Sequence, residues 1–176
     1  RQVKDFQKIE MSLSQLDAID YRFLTDAERL CVYANLVNIM RLHGSIVFGP
    51  VQSAVQWVHW SKSIKYSLGV LGVVSLFDLE FSYLRGALPI PQLFDGALRY
   101  LVDVIKDSDP RRKFVVTLKE PSLQFGIWSG HASSPSPIPL LPSTYQGVLQ
   151  SAKTLYFVQH VQVKRGGVVL MPRLVQ

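Results

Sequence analysis

The sequence has a single cysteine, Cys31, and few charged residues. One cysteine cannot form an intramolecular disulfide, and no cluster of Cys and His has the spacing of zinc ligands, so we expect no metal or cofactor and a reducing compartment. Charged residues make up 18% of the 176 residues and hydrophobic ones 48%. This balance excludes a disordered chain and predicts one packed domain. We therefore expect an intracellular, cytoplasmic protein.

The sequence also has no stretch that we predict to cross a membrane. The longest run without Lys, Arg, Asp or Glu is Pro121–Ala152, and its five prolines are incompatible with a membrane-spanning helix. The more continuous apolar run, Tyr66–Phe77, is twelve residues long and is interrupted by glycines. We interpret it as a buried hairpin that leads into a helix.

The net charge of +6 favours an anionic partner such as RNA. Five positive and six negative side chains share residues 1–30, so the surplus comes from Arg111–Lys113 and from scattered residues near the C-terminus. There is no continuous basic stripe and no aromatic motif of the kind that binds single strands. A solvated basic face is therefore preferred, and nucleic-acid binding is the weaker alternative.

Two capping boxes mark the starts of helices. In Thr25–Glu28 and in Ser75–Asp78, a hydroxyl and a carboxylate can satisfy backbone amides that the first helical turn leaves unpaired. The first box begins a long apolar helix that we predict to end at Gly44, and the second begins a short helix that ends near Gly86. Further helices are predicted over Val3–Met11, after Pro91 and from Ser143.

Strands are predicted in three places. Two short runs around Tyr66–Phe77 flank a glycine turn, Pro121–Ser129 alternates between apolar and polar residues, and the Gly166–Gly167 pair indicates a hairpin. The fold class is therefore α+β, a single compact domain with helices packed on a small antiparallel-rich sheet. We predict residues 1–13 to be an extension from a longer chain and residues 14–176 to be the globular domain, truncated at its C-terminus.

Polar side chains interrupt the two capped helices. Asn35 and Asn38 lie three residues apart on one helix face, although asparagine is disfavoured inside helices. Glu80 precedes Arg85 by five residues, which is not an ideal spacing for an ion pair on one helix face, so a non-local partner stays open as well. We predict that these four residues form or border a buried polar cluster near the Trp128–Pro135 turn, with a structural role preferred over a catalytic one.

A serine and a histidine lie close together in the stretch GIWSGHASSPSPIP. Ser129 and His131 would point the same way along an extended strand, and His43 on the first helix is a second candidate base. The stretch has no G-x-S-x-G motif and no acid beside it, which makes it a weak hydrolase signal. We interpret it as a strand that ends in a polar turn before a proline-rich loop.

Five motifs in this order resemble those of the domain of unknown function 547 family. They are ERLCVYANLVNIMRLH, KYSLGVLG, SLFDLEFSYLR, DPR and LQFGIWSGHASSP, and their order and spacing match the family over residues 14–172. The resemblance implies a compact α+β domain that is often joined to other modules, and it implies no established activity.

The resemblance also shows where this sequence departs from the family. The asparagines, the helix-end histidine, the glutamate and the arginine are kept, as Asn35, Asn38, His43, Glu80 and Arg85. The family's histidine after the glutamate is replaced by Phe81, and its frequent cysteine is replaced by Ser129. If those two residues act as a papain-like pair in other members, this chain has lost both.

The function we expect is that of a non-catalytic structural or protein-interaction domain in a larger protein. Its partners would be other domains of the same chain or separate proteins. The alternative from another class is a serine-type hydrolase or transferase that uses Ser129 with His131 or His43 as the base. A basic module that binds RNA or a ribonucleoprotein is the third and weaker hypothesis.

Overall fold

The computed structural model describes residues 11–51, 53–86, 88, 105–130, 134–165 and 167–170. The longer helices are α1 (Asp26–Phe48), α2 (Ala54–Ser63) and α4 (Tyr145–His160), and α3 is an α-helical turn over Leu76–Asp78 continued by a π-helical segment over Leu79–Leu84. The strands are β1 (Lys65–Ser67), β2 (Val73–Ser75), β3 (Gln162–Val163) and β4 (Val169–Leu170). Short 3₁₀ helices cover Gln15–Ala18, Tyr21–Phe23, Gly69–Leu71, Pro110–Phe114 and Pro121–Phe125.

The α+β class is confirmed, with the strands arranged as two separate antiparallel hairpins. β1 pairs with β2 and β3 pairs with β4, so the described residues contain two two-stranded sheets rather than one larger sheet. Each hairpin lies where the sequence predicted one. The core forms mainly between helices and the irregular segments that cross them.

Helix α1 begins as predicted and ends later than predicted. The Thr25 hydroxyl accepts a hydrogen bond from the Glu28 amide at 3.3 Å, and the Glu28 carboxylate accepts one from the Thr25 amide at 2.8 Å. The predicted end at Gly44 is wrong, because the helix continues to Gly49, whose φ of 78° ends it. Gly44 has a packing role instead, since a Cβ there would clash with the Ile64 side chain.

Helix α1 is also the central helix of the core. It is long and apolar enough, by length and composition alone, to cross a membrane. Of its most apolar window, however, 56% is buried inside the domain, as is typical of a core helix. Fully buried side chains of α1 pack with those of α3, α4 and the segment before α4, among them Tyr33, Val37, Met40, Leu76, Leu79, Leu140 and Leu149.

The structure corrects one local prediction and adds one helix that the sequence did not predict. Pro121–Ser129 is not a strand, because Pro121–Phe125 forms a 3₁₀ helix in which the Glu120 side chain accepts a hydrogen bond from the Ser122 amide. Helix α2 was not predicted at all, although Ser53 caps its first turn by accepting from the Gln56 amide. The helix predicted over Val3–Met11 and the one after Pro91 lie almost entirely outside the described residues.

The π-helical segment brings two site residues together. The Arg85 amide donates to the Glu80 carbonyl at 2.9 Å, which is a hydrogen bond over five residues instead of four. In an α-helix, residues five apart point about 140° away from each other. The wider turn reduces this angle, so Glu80 and Arg85 can pair on one side of α3.

Candidate functional site

A row of polar side chains on α1 faces the irregular segment that leads to α4. Asn35, Asn38 and Arg41 follow one another at intervals of three residues, so they lie along one side of the helix. We call these three residues the polar row. Its partners are backbone groups of residues 126–140, together with Glu80 on α3.

Each asparagine of the polar row forms hydrogen bonds with backbone groups of residues 126–140, as a neighbouring β-strand would. The Asn35 amide group donates to the Leu140 carbonyl at 2.8 Å and accepts from the Leu140 amide at 2.8 Å. The Asn38 side chain also makes one donor and one acceptor bond, but to two different residues. It donates to the Gly126 carbonyl and accepts from the Trp128 amide, both at 2.8 Å. A carboxamide carries the same donor and acceptor as a peptide group, so it can pair with backbone that no strand reaches.

Arg41 completes the polar row with a charge. One of its terminal nitrogens, Nη1, donates to the Trp128 carbonyl, and the other, Nη2, donates to Glu80 Oε2. Its guanidinium also lies 6.0 Å from the centre of the Trp57 ring on α2, within the range of a cation–π contact. Arg41 is only 5% exposed, so these partners replace nearly all of its hydration.

Glu80 is a single carboxylate between two buried guanidinium groups. It is 3% exposed, and its other oxygen, Oε1, accepts from Arg85 Nε at 3.4 Å. We call Arg41, Glu80 and Arg85 the charge cluster. Burial lowers the pKa of Arg85, the charge of Arg41 lowers it further, and Glu80 opposes both effects.

The candidate catalytic residues are placed in different ways. The Ser129 amide donates to the Ser134 hydroxyl at 2.6 Å, while the Ser129 hydroxyl has no hydrogen-bond partner among the described residues. His43 Nδ1 lies 2.7 Å from the Tyr66 hydroxyl on β1. His131 lies outside the described residues, so its role as a base stays a prediction. The described contacts therefore supply no imidazole to the Ser129 hydroxyl.

Phe81 points into an aromatic cluster. Its ring centre lies 5.0 Å from that of Phe77 and 5.9 Å from that of Trp57, and Val58 packs on the same group. Phe81 is 6% exposed, so its ring is buried in this cluster. We call Trp57, Val58, Phe77 and Phe81 the aromatic cluster. It contacts the charge cluster through Trp57, which also faces Arg41.

The basic stretch Arg111–Lys113 carries less free charge than its sequence suggests. Arg111 pairs with Asp109 at 2.7 Å, and Arg112 pairs with Asp107 at 2.9 Å. These two acidic residues neutralise two of the three cations. In the part of the chain that the structure describes, no three His, Cys, Asp or Glu residues are grouped as metal ligands.

A family model described as "Protein of unknown function, DUF547" matches residues 21–157. The chain belongs to this family. No curated protein matches the chain significantly, and no solved structure does. The match covers α1 to most of α4, so the polar row, the charge cluster and Ser129 all lie inside the DUF547 domain.

Sequence reasoning missed two residues of the site in this DUF547 domain. Arg41 was not singled out, although it continues the three-residue spacing of Asn35 and Asn38, and this spacing on an apolar helix could have revealed it. Trp57 was missed because it lies on α2, which was not predicted as a helix.

Proposed function

We propose that this DUF547 domain is a non-catalytic structural or protein-interaction module of a larger intracellular protein. The observation that supports the proposal is the environment of Phe81. This position resembles the one that holds a histidine in other family members, and here its aromatic ring is packed against Phe77 and Trp57. A general base cannot act from such a position, because it needs a titratable group within reach of the nucleophile.

The surroundings of Ser129 support the same proposal. A serine hydroxyl is a weak nucleophile unless a base accepts its proton. The Ser129 hydroxyl has no such partner among the described residues, and the Ser129 amide is held by the Ser134 hydroxyl. The bond from the Ser129 amide to the Ser134 hydroxyl holds a turn together, which supports a structural role for this stretch.

Apolar side chains on the surface of α4 are consistent with an interaction role. Leu155 and Val158 are more than half exposed, and they line a shallow groove with Ser151 and Thr154. Exposed apolar surface of this kind is a common feature of protein interfaces. Its partner in this proposal is another domain of the same chain or a separate protein.

A serine-reactive fluorophosphonate probe tests the proposal directly. We expect no labelling of the wild-type protein that depends on Ser129, and the Ser129→Ala variant, with the same overall fold by circular dichroism, is the control. Labelling of the wild type that disappears in Ser129→Ala would favour the alternative, a hydrolase or transferase with Ser129 as its nucleophile.

Restoring the family's residues is a second and independent test. We expect Ser129→Cys alone and Ser129→Cys with Phe81→His to react equally slowly with iodoacetamide across pH 5–9, because an imidazole among aromatic rings is desolvated and its charged form, which would stabilise a thiolate, is disfavoured. The native Cys31 does not interfere, since it is buried and its pKa is raised to about 11. A thiolate with a pKa well below about 8.5 in the double variant alone would contradict the proposal.

The weaker hypothesis of an RNA-binding module rests on the net charge of +6 and on the basic stretch Arg111–Lys113, and a salt titration tests it. Phosphate contacts release counterions, so RNA affinity must fall steeply as salt rises. We expect no RNA binding at low salt. Binding with a steep salt dependence that Lys113→Ala and Arg111→Ala weaken would reverse this expectation.

A further inference from the structure

The charge cluster holds one more positive than negative charge. Arg41 and Arg85 contribute two positive charges, and Glu80 contributes one negative charge. All three residues are buried, with exposures of 5%, 9% and 3% in that order. An uncompensated charge in such a place is unfavourable, and proteins normally pair it. Among the described residues, the cluster therefore lacks one negative charge.

The two positively charged residues of the cluster also carry hydrogen-bond donors that have no partner among the described residues. A guanidinium has five N–H donors, and among the described residues Arg85 uses one of them, on Nε, toward Glu80. Its terminal nitrogens, Nη1 and Nη2, have no partner among the described residues, and neither is among the fully enclosed unpaired atoms. Each therefore keeps a small accessible surface, and Arg85 as a whole is 9% exposed. Arg41 Nε is enclosed and also unpaired.

The geometry of these donors selects a class of ligand. Nη1 and Nη2 of one guanidinium form a planar fork whose spacing matches the two oxygens of a carboxylate. One carboxylate brings one negative charge, which balances the cluster, whereas a phosphate dianion would reverse its sign. The narrow access favours a small anion, or the end of a chain, over a bulky one.

We propose that the charge cluster is a binding site for a carboxylate anion, which pairs with the Nη1–Nη2 edge of Arg85. The site does not depend on whether Ser129 is catalytic. The site lies next to the turn that contains Trp128 and Ser129, because Arg41, the other cation of the cluster, donates a hydrogen bond to the Trp128 carbonyl. Binding is expected to stabilise the contact between α1, α3 and this turn, because it neutralises the cluster that joins them.

Sodium acetate is the probe for this site, with sodium chloride at equal ionic strength as the reference. We expect acetate to raise the unfolding temperature of the 176-residue chain in a saturable way that chloride does not reproduce. Arg85→Lys keeps the charge but removes the fork, and we expect it to weaken acetate about tenfold or more, since charged hydrogen bonds are involved. Arg112→Lys is the matched control, because Arg112 also pairs with one carboxylate but at the surface, and it should leave the acetate effect unchanged.

Three results would overturn the proposal. The first is an equal stabilisation by acetate and chloride, the second is an equal loss in Arg85→Lys and Arg112→Lys, and the third is phosphate binding as tightly as acetate. If Arg85→Lys does not fold, acetate binding to the wild type is measured by NMR titration of ¹³C-acetate, and saturable broadening that phosphate does not compete away supports the site. Absence of broadening overturns it.

A further experiment with two short peptides identifies which kind of molecule supplies the carboxylate. Trialanine with a free C-terminus and trialanine amide differ only in the terminal carboxylate. Stabilisation by the first and not by the second assigns the site to a peptide terminus, and stabilisation by acetate alone assigns it to a small free acid. Equal stabilisation by both peptides would contradict carboxylate recognition.

Discussion

Glu80 and Phe81 are neighbours on α3, yet they belong to two regions that are held together by different forces. Glu80 is part of the charge cluster, where each contact is a directed hydrogen bond or ion pair. Phe81 is part of the aromatic cluster, where the contacts are ring packing and buried area. Directed contacts fail when one partner is lost, whereas packed rings can adjust. The two regions should therefore respond very differently to substitution.

The largest effect is expected from the centre of the charge cluster. Glu80→Leu leaves Arg41 and Arg85 buried with no carboxylate between them, which should lower the free energy of unfolding by about 3–5 kcal/mol. Urea denaturation followed by circular dichroism measures this. In the triple variant Glu80→Leu, Arg41→Met, Arg85→Met, most of that loss should be recovered, because the uncompensated charges are gone. A loss below about 1 kcal/mol in Glu80→Leu would show that the cluster is open to solvent.

A smaller effect is expected from the polar row. Asn38→Leu keeps the number and branching of the side-chain heavy atoms but leaves the Gly126 carbonyl and the Trp128 amide without partners, so we expect a loss of about 1–3 kcal/mol. Asn35→Leu is the matched comparison, with the same pair of bonds at a less buried position. Asn35→Leu should be milder because water can replace its lost bonds. The reverse order would mean that exposure does not control these contacts.

The smallest effect is expected from a conservative exchange in the aromatic cluster. Phe81→Leu keeps an apolar side chain in contact with Phe77 and Trp57, and we expect a loss of about 1 kcal/mol, typical of a conservative core exchange. Phe81→Ala is the reference for a full loss of these contacts. It opens a cavity and should lower the free energy of unfolding by about 3–5 kcal/mol. If Phe81→Leu were as damaging as Glu80→Leu, the distinction between directed and adaptable contacts would not hold.

The comparison extends to pH in the variant Phe81→His. Burial among rings holds the pKa of the new imidazole below its unfolded value of about 6.5, because the charged form is desolvated. The unfolded state then binds a proton first, so stability should fall as pH drops below about 6.5 and should be constant above it. Urea titrations at pH 8 and pH 5 measure this difference against the wild type. A variant with the same loss at both pH values would place the new imidazole in water.

Local signals in the sequence were sufficient for the starts of α1 and α3 and for the two hairpins. The caps at Thr25 and Ser75 act through hydrogen bonds within three residues. The full reciprocal capping box occurs at Thr25, whereas at Ser75 the hydroxyl accepts from the Asp78 amide and donates to the Asp78 carboxylate. The glycine turns of the two hairpins are equally local. The ends of helices were harder to predict from the sequence. A glycine is a common helix-stop signal, but Gly44 lies inside α1, where it allows close packing against Ile64.

The candidate site could be predicted only in part. The unusual asparagines and the buried glutamate were evident from the sequence, because polar residues on apolar helices need partners. Their partners were not evident, since Leu140 and Gly126 are about a hundred residues away and contribute backbone rather than side chains. The pairing of Glu80 with Arg85 was obscured by the π-helical segment, which changes which residues share a side of the helix.

The sequence by itself indicated that Asn35, Asn38 and Glu80 would be polar inside an apolar protein, where most of the longer helices begin, and which family the chain resembles. Only the tertiary structure decided that Asn35 and Asn38 serve as strand substitutes, that Arg41 joins α1 to α3, and that the charge cluster has an excess positive charge. The physical reason is the separation along the sequence between the interacting groups. Capping and turns depend on neighbours along the chain, whereas the pairing of a buried polar group depends on whichever distant backbone the fold brings within about 3 Å of it.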